Sequence, residues 1–166
     1  MTLSGKENRP LIANVNPRNP ITIRKAQNQD AERIAVLCQQ LDYQASPQAV
    51  LTRLQHMQQD EQHVIYVADL GSERVVGWVH AHVCDSVVMP PQALLLGLVV
   101  DQKYRGSGIG RRLMQQVEQW ASERKCDAVL VRSNVKRQEA HSFYQKIGYA
   151  NTKQSKVFSK VLSQKI

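Results

Sequence analysis

The sequence has few cysteines, few aromatic residues and no long apolar run, and each shortage excludes a class of protein. Of its 166 residues, Cys38, Cys84 and Cys126 are the cysteines, and they are far apart with no CxxC pair. This spacing excludes a disulfide framework and a zinc site. No stretch reaches the roughly 18 apolar residues that span a bilayer, and the N-terminus has no apolar signal core. We therefore expect a cytoplasmic protein with no membrane partner and no metal.

Basic residues outnumber acidic ones by 22 to 14, which gives a formal net charge of +8. A surplus of this size indicates an anionic partner, which composition alone leaves open between nucleic acid, an acidic membrane surface and a small molecule that carries phosphate. Aromatic residues make up 5% of the chain, so stacking platforms for bases are scarce, and no recognition motif is present. We therefore expect no nucleic-acid partner.

The composition changes near residue 20. Residues 1–20 hold three of the six prolines and have almost no apolar periodicity, so we expect a flexible polar tail before one domain over residues 21–166. Within this domain, stretches of period 2 and period 3.6 predict the element order β-α-α-β-β-β-α-β-α-β. The fold class is therefore α/β with a mixed sheet, in which residues 93–100 form a central buried strand and residues 153–162 a terminal strand.

The most informative segment is the glycine-rich loop over residues 105–110, with the sequence RGSGIG, between the central strand and a helix. Small residues let backbone N–H groups converge at a helix start, which favours phosphate binding. A P-loop is excluded because no Lys-Ser or Lys-Thr follows the glycines, and a Rossmann motif because Arg111 replaces its third glycine. The pattern that fits is [QR]-x-x-G-x-[GA], with Arg105, Gly108 and Gly110 in its fixed positions.

Two segments together resemble a known family. VVDQKYRGSGIGRRLM, residues 99–114, resembles motif A of the GNAT superfamily of acetyl-CoA-dependent N-acetyltransferases, and SNVKRQEAHSFYQKIGY, residues 133–149, resembles its motif B. The resemblance covers about residues 21–162. It implies a GNAT-like fold, with a central mixed β-sheet that is splayed and flanked by helices.

The resemblance also implies that acetyl-CoA is the co-substrate and binds along motif A. The pyrophosphate of coenzyme A would lie on the glycine loop, and the pantetheine arm would pair with the central strand. Gly97 marks a bulge that would splay this strand and expose the Leu98 N–H as an oxyanion donor. The residues implied to bind the cofactor are Leu98, Val99, Val100, Arg105, Gly106, Ser107, Gly108, Ile109, Gly110 and Asn134.

Tyr144 matches the family position that protonates the departing thiolate, and a phenol with a pKa near 10 can donate at neutral pH. The alternative is a core aromatic residue like its neighbour Phe143. The chain departs from the family pattern in two places. Arg137 stands where many members have asparagine, which leaves the cofactor contact of Asn134 undecided. The strand start, residues 93–96, lacks the glutamate that serves many members as a base, so the general base is unassigned.

The predicted function is transfer of the acetyl group of acetyl-CoA to a primary amine of a small molecule, by direct attack in a ternary complex. The alternative is a non-catalytic acyl-CoA-binding or regulatory module on the same fold. His80 and His82 alternate on one face of a strand and are interpreted as structural, with acceptor binding or proton transfer as the weaker interpretation. Residues 41–47 and 85–92 are the expected acceptor loops. A homodimer is the commonest default for the oligomeric state.

Overall fold

The computed structural model describes residues 20–71 and 74–162, and the chain divides after Arg132 into two compact units. The predicted tail therefore lies outside the described residues, apart from Pro20. In the described part, the first unit consists of β1 (Thr22–Lys25), α1 (Ala31–Cys38), α2 (Pro47–Gln58), β2 (His63–Asp69), β3 (Val75–Cys84), β4 (Gln92–Val100), α3 (Ile109–Glu123) and β5 (Ala128–Val131). The second unit contains α4 (Gln138–Lys146).

The five strands form one sheet in the order β1-β2-β3-β4-β5. The first four strands pair antiparallel with their neighbours, whereas β5 runs parallel to β4. A parallel pair needs a crossover, and α3 supplies it between β4 and β5. The predicted mixed α/β sheet is therefore confirmed, and β4 lies inside the sheet with a neighbour on each side.

Helices α1 and α2 pack on one face of the sheet, where Leu37 and Leu54 meet Val67 and Val99 in a buried apolar cluster. Helix α2 begins at a sequence that favours a helix start, because the Ser46 Oγ accepts a hydrogen bond from the Ala49 N–H at 3.2 Å and Pro47 occupies the first turn. No helix within the described ranges is long and apolar enough to cross a membrane.

Helix α3 packs against β2, β3 and β4. Its apolar residues recur at helical spacing and form one buried stripe, namely Ile109, Leu113, Val117, Trp120 and Ala121. The helix approaches the sheet closely at Gly77, where an added Cβ would lie 2.9 Å from the Val99 carbonyl oxygen and 3.4 Å from Leu113 Cδ1. Because Gly77 of β3 has no side chain, α3 can lie close against the sheet at this position.

The terminal strand predicted over residues 153–162 is not observed. This segment has no regular secondary structure, and its large apolar side chains are 80–93% exposed, namely Val157, Phe158, Val161 and Leu162. A strand forms where a neighbour completes its hydrogen bonds, and no strand of the described ranges pairs with this segment. Local alternation of residue types is therefore not sufficient to form a strand here.

Candidate active site

Strand β4 changes its pairing halfway along its length. It pairs with β3 from end to end, but with β5 only over Gln92–Leu95. The register against β3 also shifts at this point, which leaves Leu96 as the extra residue of a β-bulge between Leu95 and Gly97. The predicted bulge beside Gly97 is therefore confirmed, and β4 separates from β5 beyond it.

Beyond the bulge, the backbone N–H groups of β4 alternate between its two edges. The Asp101 N–H donates to the Val76 carbonyl of β3 at 2.8 Å. In an antiparallel pair, every second residue of a strand directs its N–H to the partner strand, as Asp101 does here. The N–H groups of the intervening residues Leu98 and Val100 therefore point away from β3. The Val100 carbonyl has the same direction, since it accepts a hydrogen bond from Arg105 Nε at 3.1 Å. The Leu98 N–H is thus directed to the edge from which β5 has separated.

The residue after the bulge must be small because the Trp78 ring covers it. A Cβ added to Gly97 would lie 2.7 Å from Trp78 Cη2 and 2.8 Å from Cζ3. The ring is held in the cluster beneath α1 and α2, and its buried Nε1 has no hydrogen-bond partner in the described part of the chain. The Trp78 ring therefore leaves no room for a side chain at position 97 of β4.

We predict that Gly97→Ala lowers the free energy of unfolding by about 1–3 kcal/mol, because the new methyl group overpacks against a ring that the core holds in place. Urea denaturation measures the change. Leu96→Ala is the matched control, since Leu96 is 48% exposed and its truncation removes little buried contact. Equal stability of Gly97→Ala and the wild-type chain would show that the Trp78 ring moves freely.

The glycine loop brings the chain from β4 into α3 through two left-handed residues. Gly106 has φ +78° and Gly108 has φ +82°, and a Cβ added to either would meet no atom within 4 Å. These glycines are therefore required by backbone conformation, and the space beside them is open. Gly108 is the N-cap of α3 and has no side chain that could accept a hydrogen bond from the first N–H groups of the helix, those of Ile109 and Gly110.

The loop is held in place from the 3-10 turn Gln39–Leu41, which follows α1. The Gln40 side-chain oxygen accepts a hydrogen bond from the Gln102 N–H at 3.0 Å and from Arg105 Nη2 at 3.5 Å. The Ser107 hydroxyl donates back to the Tyr104 carbonyl. Arg105 is thus tied to the end of β4 through Val100 and to this turn through Gln40, with its guanidinium on the exposed side of the loop.

Asp101 anchors the end of β4 to α1. Its buried carboxylate accepts a hydrogen bond from the Lys103 N–H at 3.1 Å and forms a short ion pair with the Arg33 guanidinium. Burial opposes the charged form of Asp101, but the Lys103 N–H and Arg33 outweigh it and lower the pKa of this carboxyl. Arg33 also donates from Nε to the Val75 carbonyl at 2.8 Å. The ionised carboxylate therefore fixes the point from which the glycine loop begins.

We predict that Arg33→Gln destabilises the chain at pH 7 by about 1–3 kcal/mol, because it leaves the Asp101 carboxylate buried without its cation. The figure lies below that of a fully buried pair, since the Arg33 side chain is 34% exposed. The pKa of Asp101 in the folded chain is below the ordinary value of an aspartate carboxyl. The ion pair therefore stabilises the fold fully at pH values above the ordinary pKa, and this stabilisation is lost as the pH falls through the folded-state pKa.

Urea denaturation at pH 7 and at about pH 3 measures this dependence, and the gap between Arg33→Gln and wild type should narrow at the lower pH. The difference in the free energy of unfolding that persists at the lower pH corresponds to the hydrogen bond from Arg33 Nε to the Val75 carbonyl. Arg124→Gln is the control, because Arg124 pairs with Glu61 at 3.2 Å on an exposed surface and should contribute less than about 1 kcal/mol. A gap that is constant with pH would contradict the assignment to Asp101.

The second unit carries the other two predicted site residues. The Asn134 side-chain oxygen accepts a hydrogen bond from the Lys136 N–H at 2.9 Å, and its backbone carbonyl faces His141 Nε2 at 3.0 Å. Asn134 thus shapes the turn before α4. The contact with the cofactor stays a prediction.

Tyr144 lies in an aromatic group at the end of α4. Its ring centroid is 5.2 Å from that of Phe143 and 5.9 Å from that of Tyr149, both in edge-to-face geometry. Burial raises the pKa of the Tyr144 phenol to about 12, although the charge of Arg137 acts in the opposite direction. The phenol is therefore protonated at neutral pH, which a proton donor requires. Gly148, at φ +102°, follows the C-cap of the helix in the left-handed conformation that commonly ends one.

Three histidines lie together on the sheet face that carries α1 and α2. His80 Nε2 is 3.0 Å from His63 Nδ1, and the ring centroids of His63 and His82 are 5.3 Å apart. His82 Nδ1 faces the Val83 carbonyl at 2.8 Å. No group of three or more His, Cys, Asp or Glu side chains in the described ranges is arranged to hold a metal ion. The cluster is therefore a hydrogen-bonded histidine pair with a third ring beside it.

A groove of about 770 Å³ follows the connection between α1 and α2. It is lined by Gln39, Asp42, Tyr43, Gln44, Ala45 and Ser46. Asp42 has φ +65°, and the Tyr43 side chain is 68% exposed. This groove coincides with the first of the two loops that the sequence assigns to the acceptor. In the second, residues 85–92, the apolar side chains Val87 and Val88 are exposed, Val88 to 85%.

Comparison with known proteins identifies the family. Residues 24–149 match the Acetyltransferase (GNAT) family. An aminoglycoside N(6')-acetyltransferase type 1 of Acinetobacter baumannii is 36% identical over 70 residues, which are 42% of this chain and 48% of that relative. The match thus spans about half the length of that protein. The chain belongs to the GNAT acetyltransferase family, which confirms the predicted resemblance.

Solved structures share the fold. The aminoglycoside 6'-N-acetyltransferase AAC(6')-Ih of Acinetobacter baumannii has a TM-score of 0.76 at 22% identity, over 87% of this chain and 100% of the other. AAC(6')-Iy in complex with the bisubstrate analog CoA-S-monomethyl-acetylneamine has a TM-score of 0.74 at 19% identity, over 86% and 99%. The GNAT-like fold is therefore confirmed, and with the family match so is the class of acetyl-CoA-dependent N-acetyltransferase.

Sequence reasoning missed three residues of this region: Arg33, Gln40 and His63. Arg33 and Gln40 contact positions more than 60 residues away, and nothing in their local sequence marks them. His63 could have been found, because pairing the two strands on either side of the turn near Gly71 brings it opposite His82. The register of these two strands was therefore the signal that could have identified His63, and no family motif was needed for it.

Proposed function

We propose that the chain transfers the acetyl group of acetyl-CoA to a primary amine of a small molecule by direct attack in a ternary complex. The observation that carries this proposal is the separation of β4 from β5 at the bulge. It leaves the Leu98 N–H directed to an open strand edge, on the strand that leads into the glycine loop. A ligand that carries a thioester at one end and a phosphate group further along could place the thioester at this N–H and the phosphate at the loop.

The residues present fit coenzyme A. The open space beside Gly106 and Gly108 and the uncapped N–H groups of α3 suit a pyrophosphate. The strand edge over Leu98–Val100 suits an extended pantetheine arm, which carries amide groups that can pair with a backbone. Arg105, on the exposed side of the loop, adds a cation. We propose these residues, together with Ser107, Ile109 and Gly110, as the coenzyme A site.

The chemistry needs a hydrogen-bond donor for the oxyanion and a proton for the leaving thiolate. We propose the Leu98 N–H as the donor, since it is part of a fixed strand and points to the open edge. We propose Tyr144 as the acid, since its raised pKa keeps the phenol protonated at physiological pH. Coenzyme A supplies the activated acetyl thioester, and the chain orients it for attack by the amine.

We propose an amine of an aminoglycoside or a similar amino sugar as the acceptor. The names of the curated relative and of the two structures support this class. Of the six residues that line the groove after α1, Asp42 is the charged one, so the groove favours a cationic acceptor. We also propose that the chain acts in the cytoplasm.

We predict that the chain binds acetyl-CoA and releases free coenzyme A when neamine, other amino sugars, polyamines or an N-terminal peptide are added. Calorimetry measures the binding, and a thiol-reactive dye measures the release. Absence of binding up to about 1 mM acetyl-CoA, the upper end of ordinary KM values, would refute the proposal. Binding without turnover across the amines would favour the alternative of a non-catalytic acyl-CoA-binding module.

We predict that Tyr144→Phe lowers kcat by about 10²-fold and leaves the KM for acetyl-CoA unchanged, because a general acid acts in the transition state. Because the pKa of Tyr144 is about 12, loss of its proton should not reduce wild-type turnover at pH 7–9. Tyr149→Phe is the matched control, since it removes a hydroxyl from the same aromatic group. Full turnover of Tyr144→Phe would remove the phenol from the mechanism.

A further inference from the structure

The proposed reaction needs a base, and β4 does not provide one. Before the bulge β4 consists of Gln92, Ala93, Leu94 and Leu95, of which the first is an amide and the others are apolar, and the bulge residue Leu96 is apolar as well. The base must therefore come from a neighbouring element. The neighbour that pairs with β4 throughout is β3, and its side chains on the α1 and α2 face alternate as Trp78, His80 and His82.

The strand register places one of these side chains at the bulge. His80 is the cross-strand partner of Gly97, and it lies on the same face of the sheet because paired residues share a face. Gly97 has no side chain of its own, and the Trp78 ring covers it. The His80 imidazole is thus the titratable group directly opposite the bulge, one residue before the Leu98 N–H along β4.

The imidazole of His80 belongs to a short chain of polar groups. His80 Nε2 is 3.0 Å from His63 Nδ1, and His63 Nε2 is 3.8 Å from the Asp60 carboxylate. When the His63 Nε2 proton faces Asp60, His63 Nδ1 accepts the hydrogen bond from His80 Nε2–H. In this tautomer the His80 Nδ1 lone pair is left to accept a proton.

The surroundings keep His80 neutral. Burial lowers its pKa to about 4, and the neighbouring His63 and His82 act in the same direction. Burial also lowers the pKa of His63, which Asp60 opposes and His82 and His56 reinforce. Both rings are therefore uncharged at neutral pH. An uncharged imidazole has the lone pair that a base needs, whereas a protonated one does not.

We propose that His80 is the general base of the acetyl transfer, with His63 as the residue that positions it. This inference rests on the proposed function. As the amine nitrogen forms its bond to the carbonyl carbon and the carbon–sulfur bond breaks, one amine proton passes to His80 Nδ1. The hydrogen bond from His80 Nε2–H to His63 Nδ1 then strengthens, and the thiolate takes its own proton from the acid.

The low basicity of His80 suits this step. A free alkylammonium ion is too weak an acid to protonate such an imidazole, but the nitrogen becomes far more acidic once it has bonded to the carbonyl carbon. Proton transfer therefore follows or accompanies attack by a neutral amine. An imidazole that was already protonated before attack would not be free to accept the proton at the moment when the amine releases it.

The test compares His80→Gln and His80→Ala with His82→Gln in the full-length chain, with acetyl-CoA and the best amine of the panel. Both His80 variants should lower kcat by about 10²–10⁴-fold with the KM for acetyl-CoA and its calorimetric affinity unchanged. Added imidazole should restore part of the turnover of His80→Ala. His82→Gln is the matched control on the same strand and face, and it should retain wild-type turnover.

His63→Gln should give a smaller loss of kcat than His80→Gln, because glutamine can still accept from His80 Nε2–H. Retention of full turnover by His80→Gln, or a rise in amine KM with kcat unchanged, would overturn the assignment of His80 as the base. Failure of the wild-type chain to turn over any amine would refute the proposed function instead. Circular dichroism and acetyl-CoA binding of each variant distinguish loss of a base from loss of the fold.

Discussion

The separation of β4 from β5 is the constraint on which the rest of the structure depends. A strand inside a sheet ordinarily has both edges occupied, and β4 meets this condition only up to Leu95. Beyond the bulge, its hydrogen-bonding groups on one side are available to an extended ligand. The bulge is stable because Gly97 accepts the Trp78 ring above it. The open edge is thus built into the sheet, and side chains in the core hold it in place.

The end of β4 shows how a buried charge can position a flexible loop. Glycine residues give the loop its left-handed turns but also leave it conformationally free. Asp101 removes much of this freedom, because its carboxylate joins the strand end to Arg33 of α1 and to the backbone of Lys103. Gln40, in the turn that follows this helix, fixes the next residues. Helix α1 and the turn after it therefore hold the sheet and the glycine loop in one arrangement, although they contribute no residue to the family motifs.

Local patterns in the sequence predicted most of the fold. The buried stripe of α3, the Ser46 cap and the bulge beside Gly97 all depend on residues within about one helix or strand of each other, so spacing is sufficient to find them. Contacts made across the fold were not predicted, such as Arg33 with Asp101, because pairing partners 68 residues apart leave no local signal. The terminal strand was predicted wrongly for the same reason. Alternation of polar and apolar residues is a local pattern, and it does not show whether a neighbouring strand is available for pairing.

The same principle explains why sequence left the base unassigned. The family pattern directs attention to the start of β4, where the chain has alanine and leucine, and a search confined to that strand ends there. The histidines on β2 and β3 acquire their arrangement only when the strands pair, because His63 and His80 are 17 residues apart along the chain. Burial then lowers the pKa of both rings, because it disfavours the charged imidazole. The half-buried histidines on β2 and β3 and the exposed glycine loop beyond β4 therefore differ in solvent exposure, and this difference underlies the separate roles that we propose for them.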